Sequence, residues 1–349
     1  MLKGHVMIFS EQEVLDLYHR NPEELCRQAE VLCRNTYGNK VYLRGLIEFS
    51  NYCVMDCLYC GIRKSHSAVK RYRLDHEMIM AIVRKGYEAG LRTFVLQGGE
   101  DPWYDEAYLC RLLENIKSLT RDQCAITLSC GIRPRHEYRA MKQAGADRYL
   151  MRFETADPEL HQYLRGGVTL KQRLQALDDL KASGFEIGSG FMTGLPDEKP
   201  DSLIKNVSLC KELELDMVGI GPFIPHKATP LAGAKQKPLS EALYAVAMVR
   251  LLLPLANIPA TTAMGTLEPD GRERALECGA NVLMPNITPA EFKKEYLLYP
   301  DKICLEESGF ECIGCLSLRC RGVNRELSFE IGHSQSFMNK GVYYADKKS

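Results

Sequence analysis

From residue 40 onward the chain alternates short apolar runs with longer amphipathic stretches, and this alternation limits the fold more than any other feature. Strand-like runs stand at 41–50 (VYLRGLIEFS), 93–99 (TFVLQGG), 125–131 (AITLSCG) and 148–155 (RYLMRFET). They continue at 185–195 (FEIGSGFMTGL), 217–223 (MVGIGPF), 258–264 (IPATTAM) and 281–286 (NVLMPN). Helical stretches such as HEMIMAIVRKGYEAG, LKQRLQALDDLKASG and SEALYAVAMVRLLL lie between them. Several end at a glycine, a common helix stop: Gly90, Gly145, Gly184 and Gly279. Eight such repeats predict an α/β fold, a parallel (β/α)8 TIM-type barrel, with an open doubly wound sheet as the alternative. Residues 10–36 predict helices, with Ser10 as an N-cap. Cys26 and Cys33, seven apart, fall on nearly one helix face and read as core. The expected organisation is an N-terminal helical segment (1–38), the barrel (39–290) and a C-terminal extension (291–349).

Active sites in such barrels gather at the C-terminal ends of the strands. The first strand is followed by FSNYCVMDCLYCGIRK, in which Cys53, Cys57 and Cys60 are spaced C-x3-C-x2-C and Tyr59 precedes the last. Three thiolates can each hold one iron of a 4Fe-4S cube, which leaves the fourth iron open; such cubes ordinarily have four cysteines. Zinc with a further ligand and simple packing are the competing readings. The other strand ends open onto the same mouth: QGGEDPWY (97–104), Ser129 with Cys130, Glu154 with Thr155, GPFIPH, TTAMG and MPN.

Gly98 and Gly99, before Glu100, let the backbone approach a ligand without a Cβ in the way. Arg152 and Glu154 alternate with Met151 and Phe153, which places the two charges on one strand face. Facing inward, they need a partner or a ligand, because unpaired buried charges are costly. Arg173 in the next helix adds a guanidinium suited to a carboxylate. A structural Arg–Glu pair closing the barrel is the plainer alternative. Near the C-terminus, KICLEESGFECIGC carries Cys304, Cys312 and Cys315, spaced C-x7-C-x2-C, with Cys320 following. That set suits zinc, a redox motif or a second iron–sulfur cluster, with Cys320 as fourth ligand or bystander. The basic run 63–73 (RKSHSAVKRYR) reads as a solvated loop over the cysteine motif, and His226 as a surface histidine or a substrate contact. Cys110, Cys124, Cys210 and Cys278 read as packing.

Lys+Arg and Asp+Glu balance at 45 each, so no basic excess points to nucleic acid. No apolar run reaches the ~18 residues of a membrane span, and MLKGHVMIFSEQEV lacks the apolar core of a signal peptide. Fourteen cysteines without a secretion signal favour metal ligation and free thiols in a reducing, cytoplasmic setting.

Taken together, IEFSNYCVMDCLYCGIRK, RYRL, LQGGEDPWY, GADRYLMRFETADPELHQYLR, DMVGIGPFIPH, NIPATTAMGT, CGANVLMPN and LYPDKIC resemble the biotin-synthase-like branch of radical S-adenosylmethionine (SAM) enzymes. Within that branch the chain is similar to the FeFe-hydrogenase maturase family HydE, over about residues 40–315. The resemblance implies a 4Fe-4S cluster on Cys53, Cys57 and Cys60, with SAM on its open iron and reductive cleavage to a 5'-deoxyadenosyl radical. It implies SAM contacts from Tyr59, Gly98, Gly99, Glu100, Ser129, Glu154 and Arg173. Arg152, Thr127, Thr262, Met264 and Tyr299 are implied to line the substrate cavity. Cys304, Cys312 and Cys315 are implied to hold an auxiliary 2Fe-2S or 4Fe-4S cluster. The implied task is assembly of the diiron subcluster of FeFe-hydrogenase from a cysteine-bound iron–carbonyl–cyanide precursor. The implied partners are the maturases HydG and HydF and a reductant such as ferredoxin or flavodoxin.

Two relatives are weighed against this. Biotin synthase is expected to carry a cysteine on strand 5 and an arginine on strand 7, where this chain has Gly188–Ser189 and ATTAM. A methylornithine-synthase-like mutase shares the first triad but is not expected to have the C-terminal cysteine set. A non-catalytic carrier of an iron fragment is the alternative from another class, and it would lack a SAM pocket.

Overall fold

The computed structural model describes residues 9–341. Residues 1–8, with most of the N-terminal stretch read for a signal peptide, and 342–349, the end of the expected extension, lie outside the described residues. The first helices are α1 (Glu11–Arg20) and α2 (Pro22–Tyr37). Ser10 caps α1 as its sequence predicts: its hydroxyl accepts from the Glu13 amide while the Glu13 carboxylate accepts from the Ser10 amide at 2.8 Å. Cys33 is fully buried, whereas Cys26 is half-buried.

The expected first strand is broken at Arg44 into β1 (Lys40–Leu43) and β2 (Gly45–Ser50). There follow α3 (His76–Glu88), β3 (Thr93–Gly98), α4 (Glu106–Leu119), β4 (Ala125–Ser129), α5 (Arg135–Gln143) and β5 (Arg148–Leu150). Next come α6 (Pro158–Arg165), α7 (Leu170–Ala182), β6 (Glu186–Thr193), α8 (Ser202–Glu212), β7 (Met217–Pro222) and α9 (Leu239–Leu252). The chain continues with α10 (Thr262–Leu267), α11 (Gly271–Glu277), β8 (Val282–Leu283), α12 (Ala290–Lys293), α13 (Glu311–Gly322), β9 (Glu326–Ser328) and α14 (Gln335–Asn339).

Strands β2 to β7 form one parallel sheet in chain order, the arrangement that strand–helix–strand repeats impose. The eight-strand ladder is not continuous. The gap between β7 and β2 is crossed by isolated bridges, Met217 with Asn257, Pro259 with Val282 and Leu46 with Asn286, and by the pairing of β8 with β1. The run 258–264 is therefore not a strand throughout: after Ala260 the chain turns at Thr261 into α10. Ala, Met and Leu after the β-branched threonines favour that helix.

Helix α3 buries Ile79, Ile82, Val83 and Gly86, the i, i+3, i+4, i+7 face expected of a helix lying on a sheet. Helix α9 is buried on all sides because α1, α2 and α8 cover its outer face. At the strand starts, β9 pairs with β1, and the segment after it closes that end. There Arg148 donates to Glu186 at 2.7 Å and to the Ile331 carbonyl at 2.9 Å, with Arg148 and Glu186 fully buried. The strand starts are thus sealed, and access to the interior is from the opposite end. No helix among the described residues is long and apolar enough to cross a membrane.

Candidate active site at the barrel mouth

The cysteine loop is tied on three sides by backbone hydrogen bonds. The Val54 amide donates to the Glu100 carbonyl, the Leu58 amide to Leu164 and the Gly61 amide to Leu298. The basic run beside it is solvated only in part: Lys64, Ser65, Ser67, Ala68 and Lys70 are exposed, while its arginines are tied back to the protein. Arg71 donates to the carbonyls of Ile62 (2.7 Å), Arg63 (2.6 Å) and Asn51, while Arg63 grips Asp56. Arg73 stacks 3.8 Å above the Tyr52 ring and pairs with buried Asp101 at 2.7 Å. Arginine suits this work because its planar fork satisfies several carbonyls at once.

The glycine pair has a local reason. A Cβ on Gly99 would stand 2.0 Å from the Tyr52 carbonyl oxygen and 2.8 Å from the Cys53 Cβ, so glycine lets β3 meet the cysteine loop. The Gly99 amide is already given to the Ser50 carbonyl at 2.9 Å, which leaves it unavailable to a ligand. The Glu100 amide points at the Cys53 Sγ, 3.4 Å away. Burial pushes the thiols of Cys53, Cys57 and Cys60 up, so their thiolates need a cation to form.

A cavity of about 200 Å³ opens over the three cysteines. Tyr59, Gly98, Gly99, Glu100, Ser129, Arg152, Glu154 and Arg173 all line it. Strand β5 ends at Leu150, earlier than the sequence suggests, and Glu154 sits in the left-handed region at φ 69° while bridging to Phe191. Non-glycine residues hold that conformation where surrounding structure enforces it, commonly at ligand sites. Arg152 and Glu154 nonetheless share the cavity, 3.0 Å apart. Arg173 donates to the Arg152 carbonyl at 2.9 Å and to Glu100 at 3.3 Å.

Arg165 is the residue sequence reasoning missed. Its guanidinium donates to the Tyr59 hydroxyl at 3.1 Å and to Glu100 at 3.0 Å, and lies 3.9 Å from Glu154. Burial opposes its charge, but Tyr59, Cys57, Glu100 and Glu154 outweigh that and hold it firmly protonated. A helix-end arginine before Gly166–Gly167 gives no hint of this in the sequence; only the return of α6 to the mouth does.

A second cavity of about 230 Å³ continues inward and shares Tyr59, Cys60, Arg152 and Glu154 with the first. Thr262 and Tyr299 line it as expected, joined by Thr261, Glu48 and Lys302. Lys302 donates to Glu48 at 2.5 Å in a nearly dry ion pair. The buried hydroxyl of Thr261 and the Nε of Arg152 have no hydrogen-bond partner, so the cavity presents unfilled donors beside the Arg152–Glu154 ion pair. Two expected lining residues are not among its walls. Met264 is fully buried in the core, and Thr127 lies on β4 with an unpartnered, buried hydroxyl. His226 packs edge-on against His66 beside Gly61, outside both cavities.

The C-terminal cysteines do not assemble as their spacing suggests. Cys304 and Cys312 come together with Glu307, their donor atoms all within 4.8 Å, while Cys315 is exposed and Cys320 is fully buried.

Three thiols under a ligand-sized cavity rimmed by paired carboxylates and guanidiniums suit a site-differentiated cluster with a zwitterionic cofactor on it. Comparison with known proteins agrees. Residues 47–210 match the family described as the Radical SAM superfamily. A solved methylornithine synthase superimposes with a TM-score of 0.80 at 25% identity, covering 96% of this chain and 97% of that one. HydG from Carboxydothermus hydrogenoformans shares the fold, with a TM-score of 0.73 at 19% identity over 92% of this chain and 76% of that one. The fold and mouth define a radical SAM enzyme. In sequence the chain is 47% identical over 294 residues to the FeFe hydrogenase maturase subunit HydE of Thermotoga maritima, 84% of either chain. It is 29% identical to 3-methylornithine synthase of Methanosarcina acetivorans, over 84% of this chain and 80% of that relative. The chain belongs to the HydE family of FeFe-hydrogenase maturases.

Proposed function

We propose that this maturase acts on a sulfur-containing precursor of the diiron subcluster, a cysteine-bound iron–carbonyl–cyanide unit supplied by HydG, and passes its product to HydF. The observation that carries the reading is the pair of connected cavities, one over the three cysteines and one inward, sharing Arg152 and Glu154. When bound, SAM on a reduced 4Fe-4S cluster supplies a 5'-deoxyadenosyl radical.

The protein's own groups divide the work as follows. Cys53, Cys57 and Cys60 hold the cluster, and the Glu100 amide donates toward Cys53. Glu100, Glu154, Arg165 and Arg173 form a charged rim that balances an ammonium and a carboxylate, and Tyr59 and Ser129 complete its wall. Arg152, Thr261, Thr262, Tyr299 and Lys302 offer cationic and hydroxyl donors to an anionic substrate in the inner cavity. Sealing of the strand starts closes the far end of the inner cavity to bulk water. A low-potential carrier such as ferredoxin or flavodoxin provides the electron, and the protein works in the cytoplasm.

The test is anaerobic SAM turnover with and without the HydG reaction mixture. 5'-Deoxyadenosine formation that rises severalfold with the HydG product supports the reading. Turnover unchanged by the HydG product contradicts it, and 3-methylornithine among the products would move the chain toward the chemistry of its methylornithine synthase relatives.

A further inference from the structure

The family resemblance implies a second cluster on Cys304, Cys312 and Cys315, and the residues present do not fit one. Cys315 follows Cys312 by three residues in α13, yet Cys312 is buried while Cys315 is exposed and bonded to Arg319. The third donor beside Cys304 and Cys312 is instead the Glu307 carboxylate, 3.2 Å from the Cys312 Sγ. From the geometry we infer that this is a mononuclear site for one divalent transition-metal ion, held by Cys304, Cys312 and Glu307.

Three observations support it. First, metal–sulfur and metal–oxygen bonds of ~2.3 and ~2.1 Å at a tetrahedral angle set sulfur and oxygen about 3.6 Å apart. The 4.8 Å spread of the trio is compatible with one ion. Cys53, Cys57 and Cys60 are not drawn that close, as ligands to different irons of a cluster are not. Second, the adjoining cavity is about 20 Å³, room for one or two water-sized spheres. Two irons and two bridging sulfides are four atoms. Third, the surroundings carry compensating charge. Arg272 donates to Cys304, and fully buried Lys293 donates to the Glu307 carbonyl at 2.7 Å. Two thiolates, a carboxylate and a dication sum to −1, a charge opposite in sign to the Arg272 and Lys293 cations beside it; charged neighbours of the ligands are part of such sites. Mixed thiolate–carboxylate ligation suits zinc or ferrous iron. The ion clips the 300–309 loop, which carries Lys302, to α13.

The test uses full-length protein in which Cys53, Cys57 and Cys60 are alanine, stripped of metal and titrated anaerobically with Co2+. The inference expects one ion per chain with tetrahedral d–d and sulfur charge-transfer absorption. Cys312→Ala should abolish it, Glu307→Gln should weaken binding at least tenfold, and Cys315→Ala should leave it unchanged. A spectrum that loses a thiolate in Cys315→Ala and ignores Glu307→Gln overturns it. Should the triple variant not fold, wild-type protein reconstituted with iron and sulfide is weighed by native mass spectrometry. A metal at the second site without added sulfide supports the inference. Added sulfide that disappears in Cys315→Ala refutes it. SAM cleavage belongs to the mouth and is unaffected by either result.

Discussion

Gly99→Ala tests how the cysteine loop is held. The new Cβ would stand 2.0 Å from the Tyr52 carbonyl oxygen, where real contacts begin near 3.0 Å, so β3 and the loop must separate by the difference, 1.0 Å. Tyr52 immediately precedes Cys53, and no flexible side chain can absorb the shift. Overpacking of this kind costs about 1–3 kcal/mol. At about 2.1 cal/mol/K of unfolding entropy per residue, that cost alone lowers Tm by roughly 1–4 °C in a chain of this size. The effect on metal is larger, because ligand distances are held within about 0.2 Å. The assay is iron and acid-labile sulfide per chain after anaerobic reconstitution, with Tm read in parallel. A severalfold loss of iron and sulfide with a modest Tm shift is expected. Gly314→Ala is the control: nothing lies within 4 Å of its Cβ, and it sits in α13. Full iron and sulfide in Gly99→Ala would refute the reasoning that backbone contact here sets the geometry of Cys53.

Further expectations follow from buried charges. Lys302→Met leaves the buried Glu48 charge without a counter-ion, with only the Asn286 amide among the described residues donating to it, at 2.7 Å, which costs about 3–5 kcal/mol; urea unfolding should show it, and adding Glu48→Gln should restore much of the loss. Burial alone would raise the Glu186 carboxyl, but Arg148 and then His333 outweigh it and hold it well below the usual range. Its stabilisation is therefore present above the unfolded value of about 4.3 and is lost as pH falls below it. Stability of wild type against pH should show this acid limb, and Glu186→Gln should flatten it. Arg152→Ala should lose substrate turnover more than SAM cleavage, measured by product and 5'-deoxyadenosine in one assay; equal loss of both would contradict the division of roles.

Much of the fold was legible because helix and strand periods differ and the chain switches between them cleanly, as in α3 and β3. Thr261 and Thr262 misled: β-branched residues after Pro259 look extended, but Thr261 is the N-cap of α10 and Thr262 its first residue. The three cysteines and two glycines of the mouth motifs were readable from spacing, and Glu154 and Arg173 from strand alternation together with the resemblance. Arg165 was not, since a helix-end arginine resembles any solvated one until α6 folds over the mouth. Arg63 and Arg71 were hidden for the opposite reason: a dense basic run looks solvated, yet its partners are carboxylate and carbonyl oxygens that carry no sequence signal. Spacing alone also favoured Cys315, because a C-x2-C pair says nothing of which helix face is buried. The tail that seals the strand starts through Ile331 and His333 has no motif at all.

Radical SAM chemistry at this mouth rests on Cys53, Cys57 and Cys60. The most direct measurement is 5'-deoxyadenosine formed anaerobically from SAM and dithionite by reconstituted protein, with Cys57→Ala alongside. Wild type should form it, and formation should vanish in Cys57→Ala while the fold persists. Equal formation by both proteins, or none from wild type holding an intact 4Fe-4S cluster even with the HydG product present, would contradict it.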